Sequence, residues 1–341
     1  MTSARFRVVP RTAATAALLV AALVASPSLR AQDSKQAAPA GGTQPAALVV
    51  TAEPVKGDGG PAALTAQDVQ VRVAKDRVKV NDLIAAQGDR AGLQLFILID
   101  DTCTTDLGSL LGDVRAFIAA QPKTTTVGVG YMSNAITQIA QNFTEDKDAA
   151  AKAVRLPLGQ LSAMDSPYLS LQDLVKRWPA SKIRREVIMI TDGIDRLRNF
   201  GGGGGGFGPR GSINSFSNQS GDVDSTSSIA QKSGVIVYGI YAQGVGSAGR
   251  SFWSANVGQS GISQISQETG GESFILGTQN AVSFAPYLNT IQRMLNNQYF
   301  LIFQVTPLKK ADLRPVKIST EISNVEIVSA KNVLVPGGGA K

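Results

Sequence analysis

The 341-residue sequence predicts an α/β protein: a doubly wound, mostly parallel sheet with a small β appendage formed by its N- and C-terminal segments. Three observations lead there. Leu93, Leu95, Phe96, Ile97, Leu98 and Ile99 form a near-continuous apolar run, as in a strand covered by helices on both faces. Glu186–Asp195 and Val235–Tyr241 are runs of the same kind. Segments of helical periodicity alternate with these strands, the pattern of a doubly wound sheet.

Residues 1–31 read as a secretory signal peptide. Arg5, Arg7 and Arg11 form a basic start, an apolar core spans Ala13–Ala25, and small residues with Pro27 follow. The core is short for a membrane span, which needs roughly 20 residues. Cleavage after Ala31 is expected to leave no span and to give a secreted or periplasmic protein; the other reading is an uncleaved N-terminal anchor. Cleavage also removes four arginines and no acid, lowering the formal charge from +7 to +3. That balance, with no Lys/Arg stripe interleaved with aromatics, gives no footprint for nucleic acid. The single cysteine excludes an intramolecular disulfide.

Residues 32–46 are a linker rich in Ala, Gln, Pro and Gly. Residues 47–90 form an N-terminal β segment. It comprises a strand at Ala47–Ala52, the period-two stretch Val69–Val73, and a hairpin partner at Val78–Val80 after a turn at Lys75-Asp76. So few short strands bury little alone, so they are expected to pair with strands from the C-terminal end.

Residues 91–297 form the α/β domain. Asp106–Gln121 places Leu107, Leu110, Leu111, Val114, Phe117 and Ile118 at helical spacing. Strands are expected at Thr126–Met132 and Ile136–Phe143, the latter at an edge, and helices at Asp146–Val154, Leu169–Trp178 and Thr226–Lys232. Helix, strand and helix follow at Ile262–Thr269, Glu272–Ile275 and Val282–Asn296. Residues 200–220 are a glycine-rich insertion, read as flexible and without function of its own. Residues 298–341, opening on Gln298–Val305, form a C-terminal β segment.

The chemistry sits at the strand ends. Asp100, Thr102 and Thr104 follow the first strand as D-x-T-x-T, one carboxylate and two hydroxyls of the hard oxygen type that Mg²⁺, Ca²⁺ or Mn²⁺ prefers. The other reading of these threonines is that one caps the helix beginning near Asp106. About ninety residues on, a strand runs into Asp192-Gly193, with Ser166 on a turn between the two. This ordered set resembles the metal-ion-dependent adhesion site of the von Willebrand factor A domain family, a Rossmann-like fold. The resemblance implies a cation shell of Asp100, Thr102, Thr104, Ser166 and Asp192, with Ser162 or Ser170 as alternatives for the loop position. Cys103 stands where that family usually has Gly. The extended segment before the first strand resembles the von Willebrand factor A-related exported proteins of acidobacteria.

The resemblance implies an exported binding module: the cation, Mg²⁺ or else Mn²⁺ or Ca²⁺, would take an Asp or Glu from a protein partner in an open position. The residues add that there is no histidine, which removes Ser-His-Asp and Cys-His machinery and His-bound zinc. The expectation is therefore a non-enzyme. Two alternatives remain open: a metal-dependent hydrolase or enzyme-complex subunit working through Asp100 and Asp192, and a domain whose site is degenerate and structural.

Overall fold

The structure is a computed structural model that describes residues 42–338 apart from 58–59, 180, 198–210, 247–251, 276 and 278–280. The expected signal peptide, most of the linker and the glycine run lie outside the described residues.

The central sheet has six strands. They are β5 (Leu93–Asp100), β6 (Thr125–Ser133), β7 (Ile136–Thr144), β8 (Arg184–Thr191), β9 (Val235–Tyr241) and β10 (Ser273–Phe274). Their spatial order is β10-β9-β8-β5-β6-β7, parallel except for β7, which runs antiparallel at one edge as its polar pattern suggests. The unbroken apolar pattern of β5 has a direct cause. Leu95, Ile97 and Ile99 join one buried cluster and Phe96 and Leu98 the other, so each face of the sheet is covered.

Helices α1 (Leu111–Ala119) and α6 (Ala285–Asn296) supply Leu111, Val114, Phe117, Leu288 and Ile291 to the first cluster. On the other face lie α3 (Pro167–Arg177), α4 (Gly211–Ser233) and α5 (Phe252–Thr269), with Tyr168, Leu171, Val223, Ile262 and Ile265 buried. The short α2 (Lys147–Lys152) buries Ala150 and is capped by Asp146, whose side chain accepts from the amide of Ala149 at 2.9 Å.

The chain deals β5, β6 and β7 to one side, then returns to deal β8, β9 and β10 to the other. The strand order therefore reverses between β5 and β8, the place where open α/β sheets leave a crevice beyond the carboxyl ends of their strands. Asp100 ends β5 and Asp192 follows β8 directly, so both acids stand at that crevice.

The remaining strands make two four-stranded sheets, β13-β1-β11-β4 and β14-β12-β2-β3. Here β1 is Gln44–Pro54, β2 Val69–Val73, β3 Asp76–Val78 and β4 Val80–Ala85; β11 is Gln298–Val305, β12 Asp312–Thr320, β13 Val325–Ser329 and β14 Asn332–Val335. N- and C-terminal segments pair as their shortness requires: β1 lies antiparallel to β11 and β13, and β2 antiparallel to β12. Val50, Leu301 and Phe303 of one sheet and Val71, Val333 and Val335 of the other share one buried cluster.

Several elements differ from expectation. The region of Asp106–Gln121 begins as a 3₁₀ stretch, Thr105–Ser109, before α1. Helix α4 starts at Gly211, inside the segment read as an irregular insertion, and α5 starts ten residues earlier than its apolar spacing suggests. Glycines hide α5 in the sequence, because they weaken helix propensity. Packing requires them: a Cβ on Gly258 would collide with the carbonyl oxygen of Asp192, and one on Gly261 with the Tyr168 hydroxyl.

Candidate functional site

All five residues singled out in the sequence are buried at the carboxyl edge of the sheet, and they divide into linked groups. Asp100 is held by its own loop. Its Oδ1 accepts from the amide of Thr102 at 2.9 Å and from the Thr102 hydroxyl at 2.7 Å. Its Oδ2 accepts from the hydroxyl of Thr191, the last residue of β8, at 2.6 Å. The register sets this last bond, since Ile99 pairs with Ile190 and the next residues on each strand become neighbours. Burial first, and then the charge of Asp192, push the Asp100 carboxyl up to about 6.

Asp192 pairs with a residue not anticipated from the sequence. Arg196 lies four positions on, and both side chains are 0% exposed. Nη2 donates to Oδ2 at 2.5 Å and Nη1 to Oδ1 at 3.3 Å, while the amide of Ile194 donates to Oδ1 at 2.9 Å. Such two-pronged guanidinium–carboxylate contacts are among the strongest hydrogen bonds proteins make. Burial works against the charge on Arg196, but Asp192 and Asp100 outweigh it and hold the guanidinium above its ordinary value. The arginine backbone is fixed too: the amides of Arg196 and Leu197 both donate to the carbonyl of Asp165 at 2.9 Å.

Thr104 reaches the site through its backbone. Its amide donates to the carbonyl of Gln243 at 2.9 Å, the amide of Val245 donates to the carbonyl of Thr102 at 2.8 Å, and Cys103 and Gly244 form an antiparallel bridge. This short ladder roofs the two acids. A Cβ on Gly244 would collide with Oδ2 of Asp192, so glycine is required there. Gly193, with φ +72°, meets the same requirement from the other side, where a Cβ would strike the backbone of Gly258 in α5.

Ser166 is the N-cap of α3: its hydroxyl accepts from the amide of Leu169 at 3.3 Å and donates to Oδ2 of Asp195 at 2.9 Å. The structure thus links Ser166 to the loop carrying Arg196. Of the alternatives, Ser162 accepts from the amide of Met164, and Ser170 donates to the carbonyl of Ser166. Thr104 occupies an N-cap position but makes no side-chain cap bond, so the capping reading of the threonines does not describe it.

Asp101, next to the first acid, takes both guanidinium nitrogens of Arg155 at 2.7 and 2.8 Å and the amide of Leu158 at 3.2 Å. Arg155 also stacks on the Tyr131 ring, 3.7 Å from its centre. These contacts fasten the loop after α2 along the rim. That loop exposes Leu156, Leu158, Leu161 and Met164.

The donor set can be tested against a divalent cation. Asp100, Thr102 and Asp192 have the right chemistry, hard oxygens at one strand edge. The arrangement does not fit: every oxygen of both carboxylates already accepts a hydrogen bond from a protein donor, and a positive group is already paired with Asp192. Among the described residues, no cluster of three or more His, Cys, Asp or Glu side chains is placed to hold a metal ion. Arg196, Thr191 and Gly244 were not read as site residues in the sequence. The i,i+4 spacing of Asp192 and Arg196 was the one signal present, and it is too common to single out.

Strand order and the antiparallel edge strand define the class: a Rossmann-like, doubly wound α/β domain, joined to paired four-stranded β-sheets. No protein-family model matches the chain. No curated protein matches it. Solved structures do. An aerotolerance-related membrane protein from Bacteroides fragilis is 12% identical, with a TM-score of 0.37, over 60% of this chain and 99% of that one. A von Willebrand factor type A protein from Catenulispora acidiphila is 8% identical, with a TM-score of 0.41, over 86% of this chain and 74% of that one. The SpRpn10 VWA domain is 12% identical, with a TM-score of 0.33, over 60% of this chain and 91% of that one. The fold class rests on the strand order and the antiparallel edge strand, not on these matches.

Proposed function

We propose that the chain is an exported protein-interaction module whose binding face is the carboxyl rim of the six-stranded sheet. One observation carries this reading: large apolar side chains stand exposed around a polar centre whose charges are already matched. Phe252 and Trp253, 68% and 73% exposed, open α5, the helix whose Gly258 packs on Asp192. Leu158, Leu161 and Met164 are exposed on the loop fastened to Asp101. Contact surfaces expose large apolar side chains, and both of these elements present them at the carboxyl rim.

Binding rather than turnover is the role proposed. Cys103 is buried, and burial, followed by Asp100 and Asp192, pushes its thiol up, which keeps it neutral and a poor nucleophile. Export rests on residues 1–31, and N-terminal sequencing of the protein recovered outside the cytoplasm is expected to begin at Gln32. Among the described residues, no helix is long and apolar enough to cross a membrane.

The test is capture of partners by the chain, compared with a Leu158→Ser, Trp253→Ser variant of unchanged melting temperature. A protein retained by the former and lost from the latter supports the rim as the face; equal capture by both removes it. The second reading is cation-dependent binding of a partner's Asp or Glu through Asp100, Thr102, Thr104, Ser166 and Asp192. The convergence of Asp100 and Asp192 on one crevice favours it, and it requires Arg196 to leave Asp192. Capture abolished by a chelator and restored by Mg²⁺ would select it.

A further inference from the structure

The carboxylates of Asp100 and Asp192 stand at the ends of the neighbouring strands β5 and β8, in a site roofed by the Thr102–Thr104 and Gln243–Val245 ladder. Buried acids of like charge need a positive partner, or they neutralise. We infer that Arg196 is that partner: a built-in substitute for a divalent cation, which makes the rim independent of metal.

Four features carry the inference. The guanidinium engages both oxygens of Asp192, leaving Asp100 to be satisfied by three hydroxyl and amide donors from Thr102 and Thr191. A guanidinium is planar, permanently charged and more weakly hydrated than an ammonium, which suits it to a closed site. Its position is set from both ends, by the carbonyl of Asp165 on the Arg196 and Leu197 amides and by the missing Cβ of Gly244 against the paired side chains. Beyond Asp192, Nη1 donates to the carbonyl of Ile194 at 3.3 Å and Nε has no hydrogen-bond partner among the described residues, so the fork toward Asp192 is the main contact of the buried guanidinium. This goes beyond the interaction reading and holds whichever protein binds at the rim, whereas cation-dependent capture, the second reading above, would overturn it.

The experiment is thermal unfolding of the full chain in a chelator and in millimolar Mg²⁺, Mn²⁺ or Ca²⁺, with calorimetric titration of the same cations. The wild-type chain is expected to melt at one temperature in all of these and to give no binding heat. Arg196→Ala is expected to melt roughly 5–15 °C lower in the chelator, as a broken buried pair in a domain of this size should. At least half of that loss should return when a cation is added. A wild-type chain stabilised by cation overturns the inference, as does an Arg196→Ala chain that melts like the wild type in chelator, or a loss that no cation restores. Should Arg196→Ala fail to fold, Asp192→Asn combined with Arg196→Met decides. A folded, cation-indifferent double variant supports the substitution, and a double variant that also fails to fold overturns it.

Discussion

Strand β8 carries a buried acid near each end, and the two are treated differently. Asp192, just past its carboxyl end, meets Arg196. Glu186, near its start, is as deeply buried, yet neither carboxylate oxygen makes a direct hydrogen bond among the described residues. A cation is close by, because Arg184 lies two residues earlier on the same face of the strand. Its guanidinium is directed elsewhere: Nη1 donates to the carbonyl of Leu295 and to Oε1 of Gln298, and Nη2 to the carbonyl of Ala91, each at 2.7 Å. Arg184 therefore stitches the end of α6 and the start of β11 onto the sheet. Glu186 is governed by burial, which raises its carboxyl; the charge of Arg184 pulls the other way, as do Tyr238 and Gln298, polar neighbours that stand outside direct hydrogen-bond geometry. The difference teaches that proximity of opposite charge does not make a pair. The pair forms where neighbouring backbone leaves the arginine no better acceptor, as the loop at Asp192 does.

The comparison can be broken most strongly at the matched end. Asp192→Ala leaves Arg196 buried without its carboxylate, and a loss of about 3–5 kcal/mol is expected in urea unfolding. Gly258→Ala presses a methyl group into the Asp192 carbonyl and should cost about 1–3 kcal/mol by the same measurement.

The unmatched end should respond in the opposite sense. The native state raises the Glu186 carboxyl, so its contribution is fully present below the ordinary carboxylate range and is lost as pH rises through the raised native value. Glu186→Gln is therefore expected to melt higher than the wild type at pH 8 and to lose that advantage at pH 4. A variant that melts lower at pH 8 would show that Glu186 is paired after all. Smallest of all, Phe252→Ser and Trp253→Ser should each change stability by no more than about 0.5 kcal/mol, since both side chains are exposed. Their effect belongs to binding.

Both acids of the crevice were legible because each ends an apolar strand, and strand ends are where open sheets place their chemistry. The two-sided burial of β5, the edge position of β7 and the pairing of N- with C-terminal strands were legible for the same kind of reason: periodicity and length report how many faces an element must cover. Helix α5 was only half legible, because Gly258 and Gly261 are there for close approach to Asp192 and Tyr168, and a glycine's neighbour across space leaves no mark on the chain around it. Ser166 was legible as a hydroxyl before a helix, but its link to Asp195 was not.

The sequence by itself determined a doubly wound sheet, the strand ends at which Asp100 and Asp192 stand, and a chain without histidine chemistry. Only the tertiary structure decided what neutralises those acids. The roof pairs residues 102–104 with 243–245, and Arg196 is held by the carbonyl of Asp165. Contacts between segments so far apart depend on backbone carbonyls, which every residue carries alike, so no residue pattern announces them.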